Sequence, residues 1–571
     1  MTISLKYYIC ICLIIIASIR TFNNLNILEN KIKSNLINEN FFVIDSKNLE
    51  EVKSHFYGFG ISKKGILTNN YFKINGYDND LNIYGVFIML NKLENYIKIS
   101  QDYYGNYGLY IFENKDTNYF AISNSFLLLK EHLDRTYKLS LNKDFVYNLI
   151  SFDLHTHSIH ETMVNEIRRL ESNTYIILDI KKREINIHYI KRTEKIIPFE
   201  SKKGLKIIDK WVDKWCYIIR SLINKTNSII FDISGGFDTR SLLSILLNCG
   251  IDLNKVTFNS INDHKSCHDE DFQIAKNISN KIGFKLNNFS FDSKYVRWNK
   301  KDSLSSIFYT KLGFHKGLSF HNGFYIKPRF SFTGGGGELI RGYPNYPIYE
   351  YIKKISSEAK EIKNLSQIFY DSSFKLINRS VNLLKKDKIY ENDYDIAADL
   401  YNKGANSIHF GRSSLIGFLK NWYSIQILVD PDLQQIKYDI NGTNTSQDIL
   451  AYIYTRFAPE LLNIPFERNR KINDLSRKKA FKLNKLMPPY QVKFDFNTNF
   501  YIDIERKTPV DFSNDNDDEN YLISFLNSKK FIRKIKSLFN NQIYEWEVEH
   551  SKNLNLFPFR HLYGLFAIIR Y

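Results

Sequence analysis

The stretch that decides the fold runs from Ser228 to Gly250, SIIFDISGGFDTRSLLSILLNCG. Ile229, Ile230, Phe231 and Ile233 read as an apolar strand, and Ser234-Gly235-Gly236 as the turn that ends it. Arg240 to Leu247 then read as a helix stopped by Asn248 and Gly250. Such a strand, loop and helix unit suits a polyphosphate. Adjacent glycines let backbone approach a polyanion, Ser234 adds a hydroxyl donor, and the free N–H groups and dipole of the helix's first turn favour negative charge. Asp238, with Thr239 beside it, is placed to hold the Mg2+ that accompanies a triphosphate. The common phosphate loop GxxxxGK[ST] occurs nowhere in the chain.

Upstream, Ile207, Ile208, Trp211, Trp215, Ile218, Ile219 and Leu222 recur at helical spacing, and both tryptophans read as packing residues. Downstream come a second strand at Val256-Thr257-Phe258, a polar loop ending in Asp269-Glu270-Asp271, and a helix carrying Phe272, Ala275, Ile278 and Ile282 that stops at Gly283. Leu286 to Phe291 reads as a third strand. This alternation implies parallel strands with right-handed crossovers and ligands at the carboxyl ends of the strands. Asp269 to Asp271 are placed to cap that helix, and His264, Cys267 and His268 read as a solvated loop. A second glycine cluster, Thr333-Gly334-Gly335-Gly336-Gly337-Glu338, follows an apolar run, and four glycines there make sense only if backbone must lie against a ligand. From Asn364 to Glu505 the chain reads as mostly helical.

Before the core unit, residues 21–40 are polar and Asn-rich, a linker or loose helix. From Phe41 to about Arg192, short aromatic and β-branched runs at Tyr84–Ile88, Tyr96–Ile99, Gly108–Phe112 and Tyr119–Ile122 alternate with turn signals, which predicts a mostly antiparallel sheet domain. His155, His157 and His160 cluster before Glu161, but no closing ligand spacing follows, so no metal is assigned to them.

The 571 residues suffice for two or three domains, and 43% hydrophobic with 25% charged residues is ordinary globular composition. The formal charge of +18 comes from lysines scattered among Asn, Ile and Tyr with no dense tract, so no nucleic-acid partner is expected. Five cysteines without a CxxC pair argue against a disulfide framework or zinc ribbon and for a reducing compartment. Tyr7–Ile19 is an apolar run between Lys6 and Arg20, too short to span a bilayer as a helix. It reads either as a buried strand or misassigned start, or as a signal or membrane-associating segment, and membrane contact is expected only through it. Asp511 to Glu519 reads as an acidic linker, and a helical tail bearing Leu562, Leu565 and Phe566 follows it.

SGGFDT resembles the SGGxDS loop of the ATP pyrophosphatase superfamily. Asp102, Gly105, Leu109-Tyr110, Phe120–Ser125, Glu161-Thr162 and Ile167–Leu170 together resemble the N-terminal glutaminase-like domain of asparagine synthetases. Thr333 to Tyr343 resembles that family's SGxGSDExxxGY segment, Leu428–Leu433 its PFLDxxL, and Arg456–Pro465 the region after its late catalytic lysine. The resemblance implies an α/β chain of four parts. These are a leading segment and linker (1–40), an antiparallel glutaminase-like domain of the N-terminal-nucleophile type (41–195), a Rossmann-like parallel-sheet ATP pyrophosphatase domain with a helical extension (200–510), and an acidic linker with a helical tail (511–571).

Four departures qualify the likeness. The glutaminase nucleophile is a cysteine directly after the initiator Met, whereas residue 2 is Thr, so glutaminase activity is expected to be lost, as in the related β-lactam synthetases. The family's second metal-binding Asp falls on Gly337, its lysine near Tyr452 is missing, and Tyr423 and Ile425 stand where its Glu and Arg precede PFLD. The implied activity is adenylation of a carboxylate by ATP with Mg2+, followed by attack of ammonia or an amine, in surface-polysaccharide or specialised-metabolite synthesis. Ser234, Gly235, Gly236, Asp238, Thr239, Asp271 and Gly334–Gly336 would bind nucleotide, Asp238 the metal, and Glu338 would orient or deprotonate the amine. A cytoplasmic location is expected with this chemistry. The alternatives are a glutamine-hydrolysing asparagine synthetase and a non-catalytic nucleotide-binding or scaffold descendant of the fold.

Overall fold

The computed structural model describes residues 39–503 apart from 78–82, 152–156, 173, 191–196, 264–265, 290–294, 298–308, 311–322, 341–345, 364–366, 387–392, 438–446 and 493–498, together with residue 533. The expectations for Tyr7–Ile19, His155, His264, Arg341-Gly342-Tyr343, Asp511–Glu519 and the C-terminal tail lie outside the described residues.

The N-terminal strands are β1 (Val43–Asp45), β2 (His55–Ser62), β3 (Gly65–Leu67), β4 (Tyr84–Lys92), β5 (Tyr96–Gln101), β6 (Tyr110–Asn114), β7 (Tyr119–Ser123), β8 (Ile167–Arg169), β9 (Thr174–Asp179) and β10 (Glu184–Tyr189). They form a four-stranded sheet in the order β1-β7-β6-β8 and a six-stranded sheet in the order β10-β9-β5-β4-β2-β3. Every pairing in both is antiparallel, as the short alternating runs require. β4 is buried over nearly its whole length, and β9 alternates buried with half-buried residues.

After a parallel pair of β11 (Ile197–Pro198) with β18 (Ile436–Lys437), the second half is organised on a parallel sheet. Its strands are β12 (Ile229–Asp232), β13 (Thr257–Asn259), β16 (Arg329–Phe332) and β17 (Trp422–Ile425), in the order β13-β12-β16-β17. β14 (Tyr295–Arg297) and β15 (Gly323–Tyr325) pair antiparallel elsewhere. The described part of residues 364–505 is mostly helical, as read, with β17 an exception within it. Its Tyr423 stacks on Phe330 of β16 at 5.0 Å between ring centroids, so a strand pairing reached over a long chain separation overrides local pattern. Leu286 bridges Phe258 in parallel and Asn287 N–H donates to Phe258 O at 2.7 Å, but residues 286–289 form no continuous strand, and residues 290–291 of the strand predicted at Leu286–Phe291 lie outside the described residues.

The two halves share one core. Phe59 of β2 packs against Phe418 and Tyr423, with ring centroids 5.7 and 5.2 Å apart. Two buried arginines fasten the seam. Arg169 donates to Gly105 O (2.7 Å), Ser407 Oγ (3.0 Å) and Lys403 O (3.3 Å), and burial lowers its pKa to about 10. Arg412 donates to Tyr107 O and to the Tyr110 hydroxyl. Gly108 (φ +83°) faces that guanidinium, and a Cβ there would lie 2.1 Å from Arg412 Nη2.

Candidate nucleotide site

At the carboxyl end of β12 the chain turns through Ser234-Gly235-Gly236 into the helix Phe237–Asn248, with Gly236 at its N-cap. The helix begins three residues earlier than Arg240, which places Asp238 and Thr239 in its first turn. Gly236 has no side chain to cap that turn, so the early N–H groups of Phe237–Asn248 form a positive end beside the loop.

The loop's own N–H groups are satisfied from within. Ser234 N–H donates to Thr239 Oγ1 (3.1 Å), Gly236 N–H to Ser234 Oγ (3.1 Å) and Gly235 N–H to Asp271 Oδ1 (3.1 Å). Asp271 stands on the helix Ser266–Ile282, which starts upstream of the predicted loop end, so Asp269-Glu270-Asp271 are helical rather than loop residues. A Cβ on Gly235 would meet Asp271 Oδ1 at 2.7 Å and Ile274 Cδ1 at 2.9 Å, and this close approach is what demands glycine.

The second glycine cluster lies directly against the first. β16 pairs with β12 in parallel, Ile230 opposite Ser331 and Phe231 opposite Phe332, so both strands deliver their loops to the same edge. A Cβ on Gly334 would lie 3.0 Å from Thr239 N and 3.1 Å from Asp238 Cβ. Gly335 faces the Gln426 side chain at the end of β17, and Gly336 takes φ +79° to turn the chain into the short helix Gly337–Ile340. Gly337 is pressed onto Asp238, where a Cβ would sit 2.1 Å from the carboxylate carbon. Glu338, the next residue, accepts a hydrogen bond from the Tyr401 hydroxyl at 3.1 Å. Tyr401 opens a π-helical turn, Tyr401–Asn406, of the kind often found at functional positions.

A third element closes the loop from the other side. Glu467 N–H donates to Gly235 O (3.1 Å), and its Cβ would stand 3.2 Å from a Cβ on Gly235. That segment is anchored by Arg240, which is fully buried, donates to the carbonyls of Ile464 (2.7 Å) and Pro465, and lies 3.7 Å above the Phe466 ring. Burial lowers the Arg240 pKa to about 10, so the side chain stays cationic at neutral pH. Arg470 pairs with Glu467 and sits 5.1 Å from the Phe237 ring centre, and Arg468 N–H donates to Glu270 Oε1 at 2.7 Å.

The predicted site residues are thus brought together: Ser234, Gly235, Gly236, Asp238, Thr239, Asp271, Gly334 and Glu338 converge, and Gly335 and Gly336 continue the same edge. Sequence reasoning missed Tyr401, Gln426, Glu467 and Arg470. The basic run Arg468-Asn469-Arg470-Lys471 after Pro465 was the one available signal for the last of these. Trp211 and Trp215 are fully buried and donate their ring N–H groups to Ile427 O (3.1 Å) and Asp430 Oδ2 (2.7 Å), the packing role read from the sequence. Asp430, in the PFLDxxL-like segment, is buried and bound by Lys214 at 2.9 Å.

As a metal site the loop has the carboxylate of Asp238, packed on Gly337, and that of Asp271, already bound to the Gly235 N–H, and among the described residues no group of three or more His, Cys, Asp or Glu is arranged to hold an ion. That donor set suits Mg2+ carried in by phosphates, which keeps most of its water, better than a resident ion in a protein cage. No described helix is long and apolar enough to cross a membrane. A scan against models of protein families finds no match to the chain, and a search of curated proteins finds none either.

Proposed function

We propose that this chain is an ATP-dependent carboxylate–amine ligase that forms an acyl-adenylate and releases pyrophosphate. One observation carries the reading. The Ser-Gly-Gly turn and the four-glycine segment, separated by about a hundred residues in sequence, meet at the carboxyl edge of one parallel sheet, with Gly334 against Thr239 N. Ser234, Gly235 and Gly236 would cradle the leaving pyrophosphate, and the first turn of Phe237–Asn248 would add its dipole. Asp238 would hold Mg2+, which supplies charge neutralisation on the phosphates when bound. Glu338, oriented by Tyr401, would take the proton of the attacking amine or ammonia. The carboxylate belongs to a sugar acid or specialised metabolite in this reading. A pyrophosphate-release assay over panels of carboxylates and amines tests it, and an Asp238→Ala protein as active as wild type refutes it.

A second reading rests on the same loop. Asp271 already takes the Gly235 N–H and Asp238 is packed on Gly337, so the cradle is closed on itself, as in a descendant that keeps the fold as a scaffold. Mg2+-dependent ATP binding separates the two, since a ligase must open the loop to bind and a scaffold does not bind.

A further inference from the structure

A cavity of about 750 Å³ lies apart from both glycine loops, between the β2–β3 hairpin, the helix Asn69–Asn75 and the helix Lys202–Ile223. Its volume is in the range that holds a small organic ligand. One wall is apolar: the half-buried Tyr71 and Ile83 face the cavity, backed by Leu67 and Phe72, which are almost fully buried.

The rest of the lining is cationic. Lysines outnumber aspartates four to two. Lys214 is neutralised by Asp432 at 2.8 Å and by Asp430 behind it, and Asp213 is engaged by the Tyr490 hydroxyl at 2.8 Å. Lys63 lies over the Tyr217 ring at 5.6 Å. Lys64 and Lys210 form no ion pair among the described residues, so two ammonium groups at the rim keep their full charge next to apolar surface. Like charges gathered at a concave, partly apolar surface raise the local concentration of anions.

We infer that this cavity binds an amphipathic organic anion, its apolar body on Tyr71 and Ile83 and its anionic group at Lys64 and Lys210. This site is independent of the proposed ligase chemistry, because no loop residue of that site lines it.

The test uses the full chain and two fluorescent probes of similar shape, anilinonaphthalene sulfonate and the uncharged phenylnaphthylamine. The sulfonate should bind more tightly than the neutral probe, and more weakly as salt is added. A Lys64→Glu/Lys210→Glu double variant should weaken sulfonate binding about tenfold and leave the neutral probe unchanged. Decanoate should displace the sulfonate from wild type and not from the double variant. Equal sulfonate affinity in wild type and variant, or equal affinity for the two probes in wild type, overturns the inference. Both substitutions are at exposed positions, so an unchanged melting temperature verifies that the fold is retained.

Discussion

Replacing Arg240 tests whether one buried guanidinium holds the third wall of the candidate site. In the native chain its Nη1 and Nη2 donate to the carbonyls of Ile464 and Pro465, and its face covers Phe466. Charge-assisted bonds of this kind are worth ~1.5–3 kcal/mol each, and a buried carbonyl stripped of its donor loses ~1–3 kcal/mol. The cation over the ring adds roughly 0.5–2 kcal/mol. Against these stands the desolvation of the guanidinium, several kcal/mol, the same effect that lowers its pKa to about 10. Arg240→Ala relieves that cost but leaves two carbonyls unpaired and a void over Phe466, and the net loss should be about 3 kcal/mol. Arg240→Lys keeps the charge and one donor direction, so it should cost less, ~1–2 kcal/mol. Thermal and urea unfolding, followed by the fluorescence of buried Trp211 and Trp215, measure the order. Limited proteolysis should cut near Arg468 and Arg470 faster in Arg240→Ala. A loss below ~1 kcal/mol in that variant, with unchanged cleavage, refutes the anchoring argument.

Three further outcomes follow from the same geometry. Gly337→Ala drives a Cβ onto the Asp238 carboxylate, which rotates away at a stability cost of ~1 kcal/mol, and under the ligase reading calorimetry should find Mg2+-ATP binding weakened as much as by Asp238→Ala. Tyr401→Phe removes the hydroxyl that holds Glu338, so under the ligase reading kcat should fall about tenfold with the KM for ATP unmoved, as pyrophosphate release would measure. Asp102 is fully buried, and burial raises its pKa to about 6 even though the N–H groups of Phe87, Tyr104, Asn106 and Tyr107 all donate to it. Its folded pKa thus exceeds the ordinary carboxylate value of 3.8, so the folded state holds more protons between these pH values and stability falls as pH rises through the window. That slope, at most ~3 kcal/mol, should be absent from Asp102→Asn when the two proteins are unfolded in parallel from pH 4 to pH 6.

Much of this site could be read from residues alone, because its signals are local. Ile229 to Phe231 must be an inner strand, Gly235-Gly236 must turn, and the apolar spacing from Arg240 onward must be helical whatever surrounds it. The same holds for the antiparallel half, where short β-branched and aromatic runs and the turn residues between them announce β4 to β7. Those features depend on neighbours a few residues away, and the chain writes them out in order.

The tertiary structure decided what local pattern cannot encode. β17 became a strand because β16 offered it an open edge along Arg329–Phe332. The π-helical turn that aims Tyr401 at Glu338 follows no repeating period, and its Lys403 carbonyl accepts a hydrogen bond from Arg169 of the other half of the molecule. Glu467 reaches Gly235 only because Arg240, a residue within the helix, grips the carbonyls of Ile464 and Pro465. Sequence carries the short-range preferences of each segment, whereas the pairing of distant polar groups is settled by burial, which leaves each of them only the partner that folding brings within reach.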